Sequence, residues 1–556
     1  MTPSPRWPEG LPTHLACPER SVYANLEAIA AERPDAVATI FYGGLLRYAE
    51  LKDRVDRLCA HLQHACGVKR GDRVLLDMQN SPQYIASYYA ILRADAVVVP
   101  VNPMNMAREL RYLAEDSGAR VALIGAELLE RFVALHGDVL DHLVVARYGD
   151  LVPADCGYAL PEVVAAAPIA LPAAATLSGL HAWTDAVQTV QAPLPHLAQP
   201  DDVCLQPYTS GTTGHPKGCV HTHRSVMFTA VAQAVWYGMT PDSVVTAVQP
   251  LFHVAGMQGS MNAGIYAGSA MLVMARWDRD LVPQLFEDFG VTFWNAAPTM
   301  VVDVMASPNF SERSFAALRT LTGGGAAMPQ AVAAQLRERF GLEFCEGYGM
   351  TETMSPTHIN PPAHPKRQCL GIAIFDTDAR VIDPTTLAEL PANEVGEIIV
   401  SGPQVLRSYW NRPDADAEAF ITIDGKRFLR TGDMGRRDDE GYFFAVDRIK
   451  RMINASGFKV WPAEVEAMMY EHPAIRECCV VAARDERRGE TVKAFVVLHD
   501  HAQGSVDAQG LIDWARATMA SYKAPRIVEF ASALPRSGSN KIDWRSLQDA
   551  PPATAS

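Results

Sequence analysis

Between Tyr208 and Gly218 the chain reads YTSGTTGHPKG, and this stretch constrains the fold more than any other. Seven of its eleven residues are Gly, Ser or Thr, and Lys217 follows Pro216 near its end. Glycines give backbone freedom and close approach, while hydroxyls and bare N–H groups donate hydrogen bonds. Lys217 adds a point charge. Together they suit a loop that wraps a polyphosphate. A flexible surface linker is the plainer alternative, but a linker has no need of this ordered mix ending in Pro-Lys-Gly. Val203 to Leu205, just before the loop, reads as a short strand, and the stretch after His223 as a helix.

The rival phosphate loop, G-x-x-x-x-G-K-[ST], fails here. Counted from Gly211, its second glycine falls on Pro216 and its Mg²⁺-binding hydroxyl on Gly218. Global charge gives no help in holding a polyanion, because the net charge is −14. Positive groups must therefore be local, and a non-specific nucleic-acid binder is disfavoured. The 556 residues allow two to four domains. None of the ten cysteines forms a C-x-x-C pair, so buried thiols in a reducing compartment are expected. The N-terminus has no apolar core of a signal peptide. The uncharged run Val163 to Thr184 carries Pro168, Pro172, Gly179 and His181 and reads as loop, not membrane span. A cytoplasmic protein with no transmembrane segment is the expectation.

Periodicity predicts a layered α/β fold with a mainly parallel sheet. Ala36 to Ile40, Gly43-Gly44 and Leu45 to Tyr48 read as a hairpin. Ala49 to His64 carries Leu51, Val55, Leu58 and Leu62 at helical spacing. Arg73 to Asp77 reads as a strand, Ser81 to Arg93 as a helix, and Ala96 to Val101 as a buried run. Residues 151–200 are Ala/Pro-rich and read as an insertion without an assigned role. Val244 to Pro250 is strand-like and leads into FHVAG (Phe252 to Gly256). The Met-, Ala- and Gly-rich stretch Met257 to Met274 reads either as a wall of adaptable apolar space or as plain core. Leu321 to Ala326 ends a strand in three glycines, and Pro329 opens a helix that Gly341 stops. EGYGMTE (Glu346 to Glu352) offers a flat ring in Tyr348, a hydroxyl in Thr351 and a hard oxygen ligand in Glu352. Asp433, in RTGD, can accept two hydrogen bonds from vicinal hydroxyls, although TGD alone is more often a turn.

The phosphate-loop string resembles that of the acyl-adenylate-forming superfamily, which includes acyl-CoA synthetases, peptide-synthetase adenylation domains and firefly-type luciferases. Gly67 to Pro103, EGYGMTE, Gly396 to Phe420 (GEIIVSGPQVLRSYWNRPDADAEAF), RTGD, DRIK (Asp447 to Lys450), NASGFKVWPAE (Asn454 to Glu464) and PRSGSNKI (Pro535 to Ile542) extend the resemblance from about residue 20 to 545. It implies a large N-terminal domain, residues 1–447, of layered α/β subdomains plus a distorted β-barrel. A small mobile α+β C-terminal domain, residues 448–556, would follow. It implies ATP, Mg²⁺ and coenzyme A. Thr209, Ser210, Gly211, Thr213 and Gly214 would hold the phosphates, with Thr212 and Glu352 on the metal and Lys217 as a catalytic cation. Gly324, Gly325, Ala326, Glu346, Gly347, Tyr348 and Gly349 would take adenine, Thr351 the α-phosphate and Asp433 the ribose. Arg448 would meet ribose or phosphate, and Lys450 would be the hinge. Ser456, Gly457 and Phe458 would line the thiol tunnel. His253 would sit beside the acyl carboxylate, and Lys541 would promote adenylation. Asn540 stands where glycine is usual, a departure that left-handed backbone geometry tolerates.

The chemistry explains the cationic crowd. A carboxylate must attack the α-phosphorus of ATP, and two anions at close range repel by several kcal/mol unless cations intervene. Positioning and charge stabilisation carry such a reaction, and no side-chain nucleophile is needed. A thiolate then attacks the acyl-AMP and expels AMP. The expected function is an ATP-dependent acyl-CoA ligase acting on a small carboxylic acid, a medium- or long-chain fatty acid in the first place. His253 to Met274 holds no acidic residue to meet an amino group. An aryl-CoA ligase for benzoate-like acids and a non-catalytic acyl-nucleotide binding module are the alternatives. A homodimer is compatible with the resemblance.

Overall fold

The computed structural model describes residues 4–167, 178–209, 216–324, 328–448, 451–455, 458–485, 489–520, 522–536 and 542–548. By contacts the chain divides into two units. One takes residues 1–378, 400–429 and 440–442, the other 379–399, 430–439 and 443–556.

The first unit is built on two large twisted sheets. Among the described residues, one sheet orders its strands Ser408–Tyr409, Cys219–Thr222, Val203–Leu205, Val97–Pro100, Arg73–Asp77, Val121–Gly125, His142–Ala146 and Leu180–Ala182. From Val203–Leu205 to Leu180–Ala182 all neighbours are parallel. The central strands are apolar on both faces, as a covered parallel sheet requires. Val74, Leu76, Val121 and Leu123 point into the main core, while Leu75, Ala122 and Ile124 point into a second cluster on the opposite face. This alternation is the two-residue period of a strand.

The other large sheet has a parallel centre, with Val37–Phe41, Ala270–Val273, Val244–Ala247, Phe293–Asn295, Thr320–Gly324 and Phe344–Met350 side by side. Antiparallel strands Gly44–Arg47 and Ser355–Ile359 flank it. The helix Pro82–Arg93 is buried on every face except at Arg93, and His223–Trp236 is nearly as enclosed. Helices apolar all round belong inside a layered core, not on its surface. Ser81 accepts the Tyr84 N–H at 3.0 Å and Pro82 opens the first helix, so its start is set locally.

The hairpin, the helix Tyr48–His64 and the strand Arg73–Asp77 follow the sequence reading closely. Residues 151–200 are not wholly irregular. Leu180–Ala182 joins the sheet edge as a parallel strand against His142–Ala146.

In the second unit Ile475–Asp485 and Gly489–Leu498 form a long antiparallel pair. Ile453–Ala455, Phe458–Val460 and Ile527–Phe530 extend that sheet. Helices Pro462–Met469 and Ala508–Thr518 cover one face through Val465, Met469, Leu511 and Ala515. The adjacent thiols Cys478 and Cys479 go to opposite faces, each into its own apolar cluster. All ten cysteines are free. No helix among the described residues is long and apolar enough to cross a membrane.

Candidate active site

The glycine-rich loop is the connection of a β-hairpin. Val203–Leu205 runs antiparallel to Cys219–Thr222, with Leu205 opposite His221. The pairing continues as a bridge between Tyr208 and Gly218, and the Thr209 N–H donates to the Lys217 carbonyl at 2.9 Å. Both ends of the loop are thus tied together at the backbone. Ser210, Gly211, Thr212, Thr213 and Gly214 lie outside the described residues, as do Gly325, Ala326, Lys450, Ser456, Gly457, Asn540 and Lys541.

A half-buried carboxylate, Asp116, braces the hairpin. Tyr208 Oη donates to Asp116 Oδ2 at 2.7 Å, and Arg412 Nη2 reaches Asp116 Oδ1 at the same distance. Trp410 Nε1 donates to the Asp116 carbonyl at 2.9 Å, and the Trp410 N–H to the Gly218 carbonyl at 2.7 Å. Tyr112 Oη donates to the Pro216 carbonyl at 2.8 Å. Burial, and then the hydrogen bond to Asp116, push the Tyr208 phenol well above its ordinary range, so it stays a donor. A largely enclosed charge is tolerable only with partners of this kind, and stripping one away costs about 3–5 kcal/mol.

The strand that leaves the loop carries the link to the second motif. Ser408–Tyr409 pairs with it, Tyr409 opposite Cys219. The Lys217 ammonium lies 5.0 Å from the Tyr409 ring centroid, and Tyr409 Oη donates to Glu352 Oε1 at 2.9 Å. Cation, ring and carboxylate therefore form one row. Burial first, and Glu352 second, hold the Tyr409 phenol far above its usual range. His221 is fully buried, and burial pulls its imidazole down to about 4. The ring is neutral at pH 7, with Nε2–H donating to the Thr351 carbonyl at 2.8 Å. The Leu406 N–H donates to the Glu352 carbonyl at 2.7 Å, so the helical turn Thr351–Thr353 is gripped from two sides.

EGYGM occupies the strand Phe344–Met350, parallel to Thr320–Gly324 with Gly347 opposite Gly324. Its register against Ser355–Ile359 shifts between Tyr348 and Gly349. A Cβ at residue 324 would stand 2.4 Å from the Gly347 carbonyl oxygen, and one at residue 349 would stand 2.2 Å from that of Ser355. Only glycine admits these approaches. Half-buried Tyr348 leans on His358, ring centroids 5.7 Å apart. Glu346 is buried, and its two carboxylate oxygens accept the N–H groups of Met328 and Cys369 at 3.0 and 2.9 Å. Burial raises its pKa against the pull of those donors. In this structure Glu346 latches two loops to the motif strand.

His253 is exposed, and its Nδ1 accepts the Ala255 N–H at 3.3 Å, capping Val254–Gly256. A π-helical turn, Met257–Asn262, follows, then Ala263–Ala267. π-turns gather at functional sites. Met257, Met261, Met271 and Met274 all belong to the main core. The room that glycine leaves here is filled by neighbours. A Cβ at residue 256 would lie 2.4 Å from the Pro250 oxygen, and one at residue 259 would lie 2.6 Å from Asn295 Nδ2. Of the two sequence readings of this stretch, the methionines take the core one.

In the second unit Asp433 pairs across the sheet with Arg448, their Cα atoms in register. Asp433 is buried, its N–H donating to Thr431 Oγ1 at 3.1 Å. Arg430 forks onto the buried Glu397 carboxylate at 2.6 and 2.9 Å, which also accepts the Gly432 N–H at 3.2 Å. Gly432 has φ +71°. The RTGD turn is therefore held by an internal ion pair. Phe458 opens the strand Phe458–Val460.

Sequence reasoning missed Asp116, His221, Tyr409, Trp410 and Arg412. The one available signal was SYWNRP, within the Gly396 to Phe420 stretch, where two aromatics and an arginine crowd together.

Two glycine-bearing parallel strands beside a hairpin loop, with a lysine and a glutamate bracketing a tyrosine, describe a nucleotide-handling α/β enzyme. The chain belongs to the AMP-binding enzymes. That family's model matches residues 26–410, and the model of the AMP-binding enzyme C-terminal domain matches residues 464–541. It is similar to the long-chain-fatty-acid–CoA ligase of Bacillus subtilis strain 168, 32% identical over 97% of this chain and 96% of that protein. It is 36% identical to a feruloyl-CoA synthase of an Amycolatopsis species, over 92% of this chain and 94% of that one. The crystal structure of ATP-bound MatB from Rhodopseudomonas palustris matches with a TM-score of 0.82 at 25% identity, covering 96% and 99% of the two chains. Within the family the protein is an AMP-forming acid–CoA ligase.

Proposed function

We propose that the acid activated by this ligase is a medium- or long-chain fatty acid, converted through acyl-AMP to acyl-CoA. The observation that carries this is the run from His253 to Met274, which holds no acidic residue to receive an ammonium group. The match to a long-chain-fatty-acid ligase along nearly the whole chain supports it. The higher identity to a feruloyl-CoA synthase favours an aromatic acid as the second reading.

In this reading Lys217, the loop N–H groups and Lys541 neutralise the triphosphate and the attacking carboxylate. Tyr348, Gly324 and Gly347 bed the adenine, Thr351 meets the α-phosphate, and Asp433 and Arg448 hold the ribose. The Glu352 carboxylate, oriented by Tyr409, is a hard oxygen donor of the sort Mg²⁺ takes. Mg²⁺ held by Glu352 and Thr212 would supply charge neutralisation on the phosphates. Residues 448–556 form a domain that turns at Lys450 between the two half-reactions.

Pyrophosphate release with ATP, Mg²⁺ and CoA, measured over octanoate, palmitate, benzoate and ferulate, tests the substrate. The highest kcat/KM on a fatty acid is expected, and the highest on ferulate or benzoate overturns the reading. Lys541→Ala should abolish adenylate formation yet leave thioester formation from synthetic acyl-AMP. Equal loss of both steps refutes the turning domain.

A further inference from the structure

At the edge of the eight-stranded sheet opposite the loop hairpin, the fold gathers imidazoles that the ligase reaction does not use. His61 lies in the last turn of the helix Tyr48–His64, and Cys66 follows two residues beyond its end. His181 sits in the middle of the edge strand Leu180–Ala182. One nitrogen from each histidine and the Cys66 sulfur all lie within 4.8 Å of one another.

The surroundings fit ligands awaiting a metal. His61 Nδ1 is 3.3 Å from Thr189 Oγ1, while its Nε2 is buried with no hydrogen-bond partner. A ring nitrogen anchored by a hydroxyl, with the other left unsatisfied in the interior, is how a metal-ligating histidine is held in place. His181 Nε2 is 3.1 Å from His142 Nδ1, which fixes that ring in turn. His136 Nε2 is also buried without a partner. A Cβ at Gly179 would lie 3.3 Å from both His136 Nε2 and His142 Nδ1, so these two rings crowd the same corner.

We propose that His61, Cys66 and His181 form a structural Zn²⁺ site, with His142 or His136 beside it as an orienting or fourth ligand. Two imidazoles and a thiolate are borderline-soft donors, which favours Zn²⁺ over Mg²⁺ or Ca²⁺. Zn–N bonds of about 2.0 Å and a Zn–S bond of about 2.3 Å require the three donors to close by about 1 Å. On binding, the thiol releases its proton to solvent and the imidazoles remain neutral. The metal would clip the edge strand Leu180–Ala182 to the helix Tyr48–His64, giving the Ala/Pro-rich insertion a function. It would close a loop of more than a hundred residues, the kind of constraint that stabilises a fold through its unfolded state.

The full-length protein, stripped with chelator and dialysed, is titrated with Zn²⁺ and with Co²⁺. One equivalent of Zn²⁺ per chain, a rise in Tm, and the thiolate charge-transfer and strong visible bands of tetrahedral Co²⁺ are expected. Cys66→Ser and His181→Gln should each weaken Zn²⁺ binding at least about 100-fold and erase the charge-transfer band or its tetrahedral intensity. Pyrophosphate release by the stripped variants should match that of the stripped parent, which establishes that they fold. Equal Zn²⁺ affinity in parent and variants, or no Zn²⁺ binding and no Tm change in the parent, overturns the proposal.

Discussion

Asp77 ends the strand Arg73–Asp77 fully buried, and neither carboxylate oxygen has a hydrogen-bond partner. Burial is the main cause that lifts its pKa from 3.8 to about 8, with the Glu127 charge adding to it and Arg131 opposing. Between those two values the unfolded chain carries Asp77 ionised while the folded chain keeps its proton. Raising the pH across that window therefore favours the unfolded state, by about 1.4 kcal/mol per pH unit at most. From pH 5 to pH 8 the loss approaches about 4 kcal/mol. Asp77→Asn removes the titration and introduces a neutral amide whose cost, about 1–3 kcal/mol if unpaired, does not vary with pH. For a unit of roughly 400 residues, 4 kcal/mol corresponds to a Tm change of about 5 °C. Thermal melts of both proteins at pH 5, 6, 7 and 8 decide the matter. The variant should gain on the parent steadily as pH rises, whatever its standing at pH 5. A gap that stays constant over the series would show that Asp77 is ionised in the fold, and the argument from its burial would fail.

Tyr409→Phe keeps the ring beside Lys217 and deletes the hydroxyl on Glu352. It should lower kcat/KM for MgATP about tenfold, the worth of one hydrogen bond to a charged group, in a pyrophosphate-release assay. An unchanged value would remove that hydroxyl from the account of the site. Gly349→Ala puts a methyl 2.2 Å from the Ser355 oxygen. The strand must shift, at about 1–3 kcal/mol, and ATP should no longer raise the Tm. A normal ATP-induced shift would show that the motif strand yields without harm.

Much of the fold was legible because its signals are local. Leu51, Val55, Leu58 and Leu62 repeat at helical spacing and are all fully buried in the structure. Pro462 and Gly341 mark helix ends where the structure has them. Other positions were not decided by local signals. The stretch after His253 reads equally as an apolar wall or as plain core, and in the structure Gly256 and Gly259 admit a carbonyl and an amide. Glu346 stands in the nucleotide motif, and only the structure shows its carboxylate engaged by the backbone of Met328 and Cys369. Composition reports that a residue is small or charged, but not which neighbour uses that property.

The sequence alone determined the elements and the chemical inventory, since periodicity, capping and turn residues act over a few neighbouring positions. Only the tertiary structure decided which distant groups meet. Tyr409 reaches Lys217 and Glu352 because its two-residue strand pairs with the strand leaving the loop, a partner remote in the chain. Asp116, Trp410 and Arg412 converge on that hairpin in the same way. Backbone pairing follows from how whole sheets bury their apolar faces together, so no short stretch of sequence carries it.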